Sequence, residues 1–345
     1  MSSLAESSKI PIKNLYYMLC YSWDHLSEIG ETNVAGEDDK DLPNLLTRIL
    51  IGKLRSLIKR GFYREYVELE EEASTLRGKV LFSESIATTS FKRGKMHILY
   101  EEMSHDILHN QLIKATLLQL VKLKELDDDL RKKVSKLTSY FHEVTPIKLN
   151  RDLFKNIKLH RSNRHYRFVL NICQFLMDSS LLNEEGQTSQ FADFYRDPRE
   201  MSMLFENFVR NFYRNELPFY QVSRETIYWQ AEGNNDKYLP RMQTDITLKN
   251  NEIKIIIDTK YYQHTLTSNY GSQKVHSGNL YQLYAYLNNQ QSSLPTMGML
   301  LYPEVNHTLD LNYQIQGHRV QVCTVDLNME WRKIHERLLE IINRF

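Results

Sequence analysis

The segment TDITLKNNEIKIIIDTKYY, Thr244 to Tyr262, carries two carboxylates and an amine in a spacing that could do chemistry. If Asn250, Asn251 and Glu252 form a turn between two strands, Asp245 falls opposite the Ile257–Asp258 region of the next strand. Neighbouring strands lie about 4.8 Å apart, so cross-strand side chains touch. Asp258 and Lys260 are two residues apart and share one face, while Thr259 points to the other. Ile253, Ile255 and Ile257 take the face opposite Asp258 and can anchor the strand in a core. Charges buried at such a place are costly unless they are paired. Two carboxylates held together repel unless a cation lies between them. A hard divalent ion with oxygen ligands fits, and Mg²⁺ takes one or two carboxylates, several waters and substrate phosphates. A lysine beside it can orient or deprotonate an attacking water, or neutralise charge on a phosphorane. In outline this is a phosphodiester-hydrolysis site. The alternative is an exposed Asp–x–Lys ion pair at a strand end, which is worth little. The upstream acid and the isoleucine-rich strand shift the balance towards chemistry.

Two further groups fall in the right order. Glu206, in LFENFV, lies on the preceding helix between Phe205 and Phe208. It could reach the metal directly or through water, or it could be a boundary residue of the helix. In QLYAY, Gln282 and Tyr286 stand at i and i+4 on one helix face. Both can hydrogen-bond to phosphate or stack near a nucleotide, and otherwise they are polar residues at the edge of a core.

The elements that must position these residues follow from periodicity. In the second half, PREMSMLFENFVRNFYRNEL reads as an amphipathic helix. VSRETIYWQ, MQTDITLK and EIKIIIDTKYY read as strands, TLTSNYGSQKVHSGN as a polar loop and LYQLYAYLNN as a helix. TMGMLLYP and HRVQVCTVDL are strands, and WRKIHERLLEIINRF closes as a helix. This order makes an α/β sandwich. The first half differs. NLYYMLCYSWDHL, PNLLTRILIGKLRSLIKRGF, DILHNQLIKATLLQLVKLKEL and HYRFVLNICQFLMDSSLL have helical period. Between them YREYVELEEEAS, TLRGKVLFSES and KMHILYEEMS predict a small antiparallel sheet or barrel over about residues 62–103. The first half is thus an α+β domain, residues 1–180, with helices around a β insert, and the second spans 181–345. Arg151–Arg167 is locally basic and reads either as a solvated surface or as a face for phosphate or a partner.

The chain has 345 residues, enough for two domains, and a formal net charge of +1. Nucleic-acid binding must therefore come from a local patch or from a partner. Three dispersed cysteines without a CxxC argue against a disulfide framework or a zinc knuckle. The absence of a signal-type N-terminus and of a long apolar run points to an intracellular, cytoplasmic protein with no membrane contact. There is no GxxxxGK[ST], HExxH or GxSxG, so no nucleotide-binding residues are assigned.

Glu206, Asp245, Asp258–Thr259–Lys260 and Gln282-xxx-Tyr286 together resemble the PD-(D/E)xK nuclease core in its variant with a QxxxY helix, with TD in place of PD. IPIKNLYYMLCYSWD, LRGKVLFSESI, HDILHNQLIKATL, LPRMQTDI and NLYQLYAYL resemble the McrC family, the nuclease subunits of McrBC-type modification-dependent restriction systems. The resemblance runs over nearly the whole chain. It implies a restriction-endonuclease-like second domain that cuts double-stranded methylated DNA in phage defence. It also implies a hexameric McrB-like AAA+ GTPase as partner, which the first domain would bind and stimulate. By the same resemblance Asp245 and Asp258 would ligate Mg²⁺, with Glu206 as an auxiliary ligand. Lys260 would activate the water, and Gln282 and Tyr286 would support the site or contact DNA. Arg77 and Lys79, beside Gly78, could form a basic tip that reaches another subunit, or could simply be solvated. Two rivals remain: an AAA+ activator with a vestigial nuclease core, and a stand-alone repair nuclease.

Overall fold

The computed structural model describes residues 10–31, 41–181, 197–232, 238–261, 267–269, 272–305 and 308–344. The chain divides into two compact units, Met1–Glu37 with Asp193–Phe345, and Asp38–Ala192. A single cut near residue 180 would leave the first 37 residues with the wrong half. Helix α1 (Ile12–Ser22) belongs to the C-terminal unit because its aromatic face packs there. Tyr21 meets Phe208 and Phe212 edge-on or tilted, and the Asn14 amide donates to the Leu327 and Met329 carbonyls, each at 2.8 Å. Helical period reveals such an element but not its packing partner. A short α2 (Ser27–Glu31) follows.

The Asp38–Ala192 unit begins with α3 (Leu42–Arg60), started by the Asp41 carboxylate on Asn44 N–H at 2.8 Å and by Pro43. Strands β1 (Glu65–Ala73), β2 (Lys79–Val80) and β3 (Met96–Ser104) form the expected antiparallel sheet in the order β1–β3–β2. The TLRGKVLFSES strand is shorter than its sequence suggests. After Val80 the chain turns into α4 (Phe82–Ala87), where the Ser85 hydroxyl donates to the Leu81 carbonyl and accepts from His97 N–H. Helices α5 (Leu108–Lys122), α6 (Asp128–Thr138), α7 (Arg151–Lys155) and α8 (Tyr166–Leu181) complete the unit. Its core includes Leu112, Leu117, Leu120, Val134, Ile172 and Leu176, all buried. At the root of the β insert the buried Tyr166 hydroxyl accepts from Tyr63 N–H and donates to Asn110, both at 2.9 Å. In the basic run, Arg151 pairs with Asp178 at 2.6 Å.

The other unit contains α9 (Pro198–Glu216), β4 (Gln221–Ser223), β5 (Thr226–Ile227), β6 (Met242–Gln243), β7 (Ile246–Lys249) and β8 (Lys254–Thr259). These are followed by β9 (Thr267–Asn269), β10 (Ser272–Lys274), α10 (Ser277–Asn288), β11 (Thr296–Pro303), β12 (Asp310–Ile315), β13 (His318–Val325) and α11 (Trp331–Asn343). A mixed six-stranded sheet runs in the order β12–β13–β11–β8–β7–β4, with β11 parallel to both β8 and β13. The parallel β8–β11 pair is joined through α10, as parallel strands require a crossover. Leu283, Tyr286 and Leu287 of α10 bury Ile256, Leu300, Tyr302 and Val322 on one face of the sheet. Ile255 and Ile257 alternate to the face packed by α9.

Three differences from the sequence reading have local causes. VSRETIYWQ and MQTDITLK each break in two, into β4 with β5 and β6 with β7. The polar loop holds the small β9–β10 pair. Strand β12 was not expected. It pairs with β13 through Gln316 and Gly317, both at positive φ, the two-residue turn whose twist suits a hairpin. Among the described residues no helix is long and apolar enough to cross a membrane, and Cys20, Cys173 and Cys323 are buried and form no disulfide.

Candidate active site

The broken strands are the structural origin of the site. Ser223 pairs with Thr247, and Thr226 pairs with Gln243. Between these pairs, Thr244 N–H donates to the Glu225 carbonyl at 3.0 Å and Glu225 N–H to the Thr244 hydroxyl at 2.9 Å. One residue, Arg224, therefore faces two, Asp245 and Ile246. This is a β-bulge, which bends a strand and re-aims a side chain. On the other side, β7 pairs Ile246 with Ile257, so one further step along that register sets Asp245 across from Asp258. The expected juxtaposition of the two acids is present.

Asp258, the last residue but one of β8, has no exposed surface and lies on the α10 face of the sheet. Among the described residues neither of its oxygens accepts a hydrogen bond of regular geometry, although Lys260 Nζ stands 2.8 Å from Oδ2. Burial pushes the carboxyl up to about 7, the lysine opposes that shift, and Asp245 adds to it. Asp245 is held from the opposite direction. Its Oδ2 accepts from Thr259 N–H at 2.9 Å and from the Thr259 hydroxyl at 3.1 Å. Thr259, in the middle of the DTK triplet, thus orients the upstream acid, a role the sequence reading missed. Lys260 is tied to the sheet by its N–H on the Leu301 carbonyl at 3.0 Å.

The α10 pair acts as a brace. Gln282 Nε2 donates to the Tyr286 hydroxyl at 2.7 Å, and that hydroxyl donates to the Gln243 carbonyl at 2.9 Å. Gln243 immediately precedes the bulged segment. Burial raises the Tyr286 phenol, and Asp258 and Asp245 raise it further. Its place is therefore inside the field of the acids.

Glu206 does not join the two aspartates. Its Oε1 accepts from Arg210 Nη1 at 2.8 Å and also pairs with Arg224. Burial lowers the Arg210 guanidinium, Arg214 lowers it further, and Asp245 counteracts the shift. Arg210 and Arg224 were not singled out from sequence. The i, i+4 spacing of ENFVR was an available signal for Arg210. Arg224 becomes visible only through the bulge.

Among the described residues no group of three or more His, Cys, Asp and Glu is arranged around a metal position. A hard ion held by two carboxylates, waters and a phosphate needs no third such ligand. The donor set of Asp245 and Asp258, with Asp258 fully buried and Lys260 beside it, fits Mg²⁺ on those terms.

Acids and an amine gathered at the carboxyl end of a central strand define an α/β protein with its polar site where such sheets place ligands. The chain belongs to the family of McrBC 5-methylcytosine restriction system components, which matches residues 4–303. It is 32% identical over 345 residues to the type IV methyl-directed restriction enzyme EcoKMcrBC of Escherichia coli K12, covering 99% of each chain. Its architecture is similar to a chain of the Thermococcus gammatolerans assembly of McrB AAA+ hexamers with bound McrC. That match has a TM-score of 0.57 at 21% identity and covers 97% of this chain and 76% of that one. At that identity the likeness speaks for the fold.

Proposed function

We propose that this chain is the endonuclease subunit of a methylation-directed restriction complex. In this reading the C-terminal unit is a PD-(D/E)xK nuclease that hydrolyses phosphodiesters of double-stranded methylated DNA with Mg²⁺. The Asp38–Ala192 unit, with its β insert, engages and stimulates a hexameric AAA+ GTPase in the cytoplasm. The observation that carries the reading is Asp258, a fully buried carboxylate beside Lys260 and across from Asp245, with no hydrogen bond of regular geometry among the described residues. Such an arrangement destabilises the protein by itself, and a bound cation compensates it.

Asp245 and Asp258 would hold Mg²⁺, which supplies electrophilic stabilisation of the charge that develops on the phosphate oxygens. Thr259 fixes the rotamer of Asp245 through its N–H and hydroxyl. Lys260 orients the attacking water and counters the growing negative charge. The Gln282–Tyr286 brace holds the segment leading into the bulge. In the test, the complex is incubated with methylated plasmid, GTP and Mg²⁺. Asp258→Ala and Lys260→Ala each lower cleavage by about 100-fold or more, in the range seen for loss of a single electrostatic group, and leave GTPase stimulation intact. Cleavage retained in either variant overturns the site.

The second reading, an activator with a vestigial nuclease core, draws on the engagement of Glu206 by Arg210 and Arg224. It requires stimulated GTPase with no strand breaks from the wild-type complex.

A further inference from the structure

The paired strands that form the bulge continue outward, past the site. Thr226 and Ile227 pair with Gln243 and Met242, and beyond that pairing the chain runs on through Tyr228 and Trp229 on one side and Pro240 and Arg241 on the other. Trp229 Nε1 donates to the Pro240 carbonyl at 2.7 Å, and Gln230 N–H to Asn289 at the end of α10 at 2.8 Å. Ile227 and Met242 are buried against α10. The base of this arm is therefore fixed to the core. Its outer part displays Tyr228 at 72% and Tyr238 at 85% exposure, and Arg241 is exposed as well. Exposed aromatic rings and a guanidinium on one anchored arm are the composition of a surface that takes nucleic acid, with rings against sugars and bases and arginine against phosphate. The acid at the root of the arm, Glu225, is neutralised by Lys254.

We propose that this arm, residues 226–229 and 238–243, grips the DNA duplex that flanks the scissile phosphate. The inference rests on the nuclease reading for where the phosphate lies. Four residues of ribbon separate Arg224, at the bulge, from Tyr228. At no more than about 3.3 Å per residue they span at most roughly 13 Å, and a duplex advances about 3.4 Å per base pair. The arm thus meets the duplex within a few base pairs of the cut.

The test uses the full chain with its AAA+ partner. Tyr228→Ala with Tyr238→Ala, and separately Arg241→Ala, are compared with wild type for duplex affinity by fluorescence anisotropy, for footprint and for cleavage. Affinity is measured in an Asp258→Asn background so that the probe stays intact. The double variant binds about 10-fold more weakly and its footprint shortens on one side of the cut. Tyr228→Phe with Tyr238→Phe, which keeps the rings, stays near wild type and excludes misfolding as the cause. Arg241→Ala lowers the slope of log affinity against log salt by about 0.9, the value of one phosphate contact. Wild-type affinity, footprint and salt slope in all variants overturn the arm. So does a change confined to GTPase stimulation or to self-association, which would give the surface to the partner or to a second copy of this chain. If wild type cuts DNA and the arm variants bind and cut as it does, the arm alone fails. If wild type makes no breaks while the variants lose DNA affinity, the nuclease reading alone fails.

Discussion

Asp258 carries most of the energetic cost of the site. Its carboxyl is raised from 3.8 to about 7, chiefly by burial. A folded-state value above the unfolded one means that the stability this group permits is fully present below about pH 4 and is lost as pH rises to 7. The full shift corresponds to an upper bound on the order of 4 kcal/mol. Replacing the carboxylate by its neutral isostere removes that loss, while Lys260 gives up a charged neighbour. Asp258→Asn, without divalent ions, is expected to be more stable than wild type by roughly 1–3 kcal/mol at pH 8 and indistinguishable from it near pH 4. Calorimetry in chelator at the two pH values reads this directly, and a less stable variant at pH 8 would mean that the pocket is not a strained apo site. The same group sets the pH dependence of cleavage. A cation needs the ionised carboxylate, so the rate should fall about 10-fold per pH unit below about 7 at limiting Mg²⁺ and recover as Mg²⁺ is raised. The acid–acid–amine cluster was legible because its three members lie on one hairpin, where period-2 alternation and a polar turn fix the geometry. Glu206 was not, because its second partner, Arg224, is brought to it only by the bulge.

The sheet and α10 govern how well that cluster is held. Gly298 of β11 lies under α10, and a Cβ there would stand 2.9 Å from Leu283 and from Leu287. A valine must displace the Leu283 and Leu287 side chains that pack α10 on the strand, a cost of about 1–3 kcal/mol for overpacking. Because α10 also carries Gln282 and Tyr286, Gly298→Val should lower cleavage as well as thermal stability. Tyr286→Phe separates the two effects. It keeps the packed ring and removes the hydroxyl that accepts from Gln282 and donates to the part-buried Gln243 carbonyl. The expected loss is about 1–2 kcal/mol of stability with a several-fold lower cleavage rate. Equal cleavage in Tyr286→Phe and wild type, measured on the same plasmid, would reduce the tyrosine to filler. At this scale the helices and β8, β11 and β13 were legible, since long periodic runs specify one element each. Strand β12 hid behind a polar sequence whose only mark was the QG turn. The breaks that create β4, β5, β6 and β7 leave no signature in VSRETIYWQ or MQTDITLK, because they depend on which strand lies opposite.

The whole molecule has a net charge of +1 and two units with separate cores. A near-neutral chain has little phosphate-neutralising capacity, and nonspecific DNA affinity rests on that capacity. The isolated protein should therefore bind duplex DNA with a dissociation constant of about 1 μM or weaker at physiological salt, and gain affinity only with its GTPase partner. Separate cores make a sharper demand. Gly78 sits at φ +72 in the β insert, and a Cβ there would stand 2.2 Å from the Leu99 carbonyl oxygen. Gly78→Val combines a left-handed backbone with a clash against main chain, a strain of roughly 1–3 kcal/mol that distorts the Arg77–Lys79 turn. Arg77, whose guanidinium lies 3.6 Å from the Tyr100 ring centroid and which pairs with Glu71, would lose its seat. If the β insert addresses the motor and the mixed sheet addresses DNA, Gly78→Val should reduce GTPase stimulation while the Mg²⁺-dependent stabilisation of Asp258, read by calorimetry, stays at its wild-type value. Lys260→Ala should do the reverse, with stimulation intact and cleavage gone. A Gly78 variant that stimulates the GTPase fully would detach the insert from the motor and send the search for that contact to the helices of the same unit.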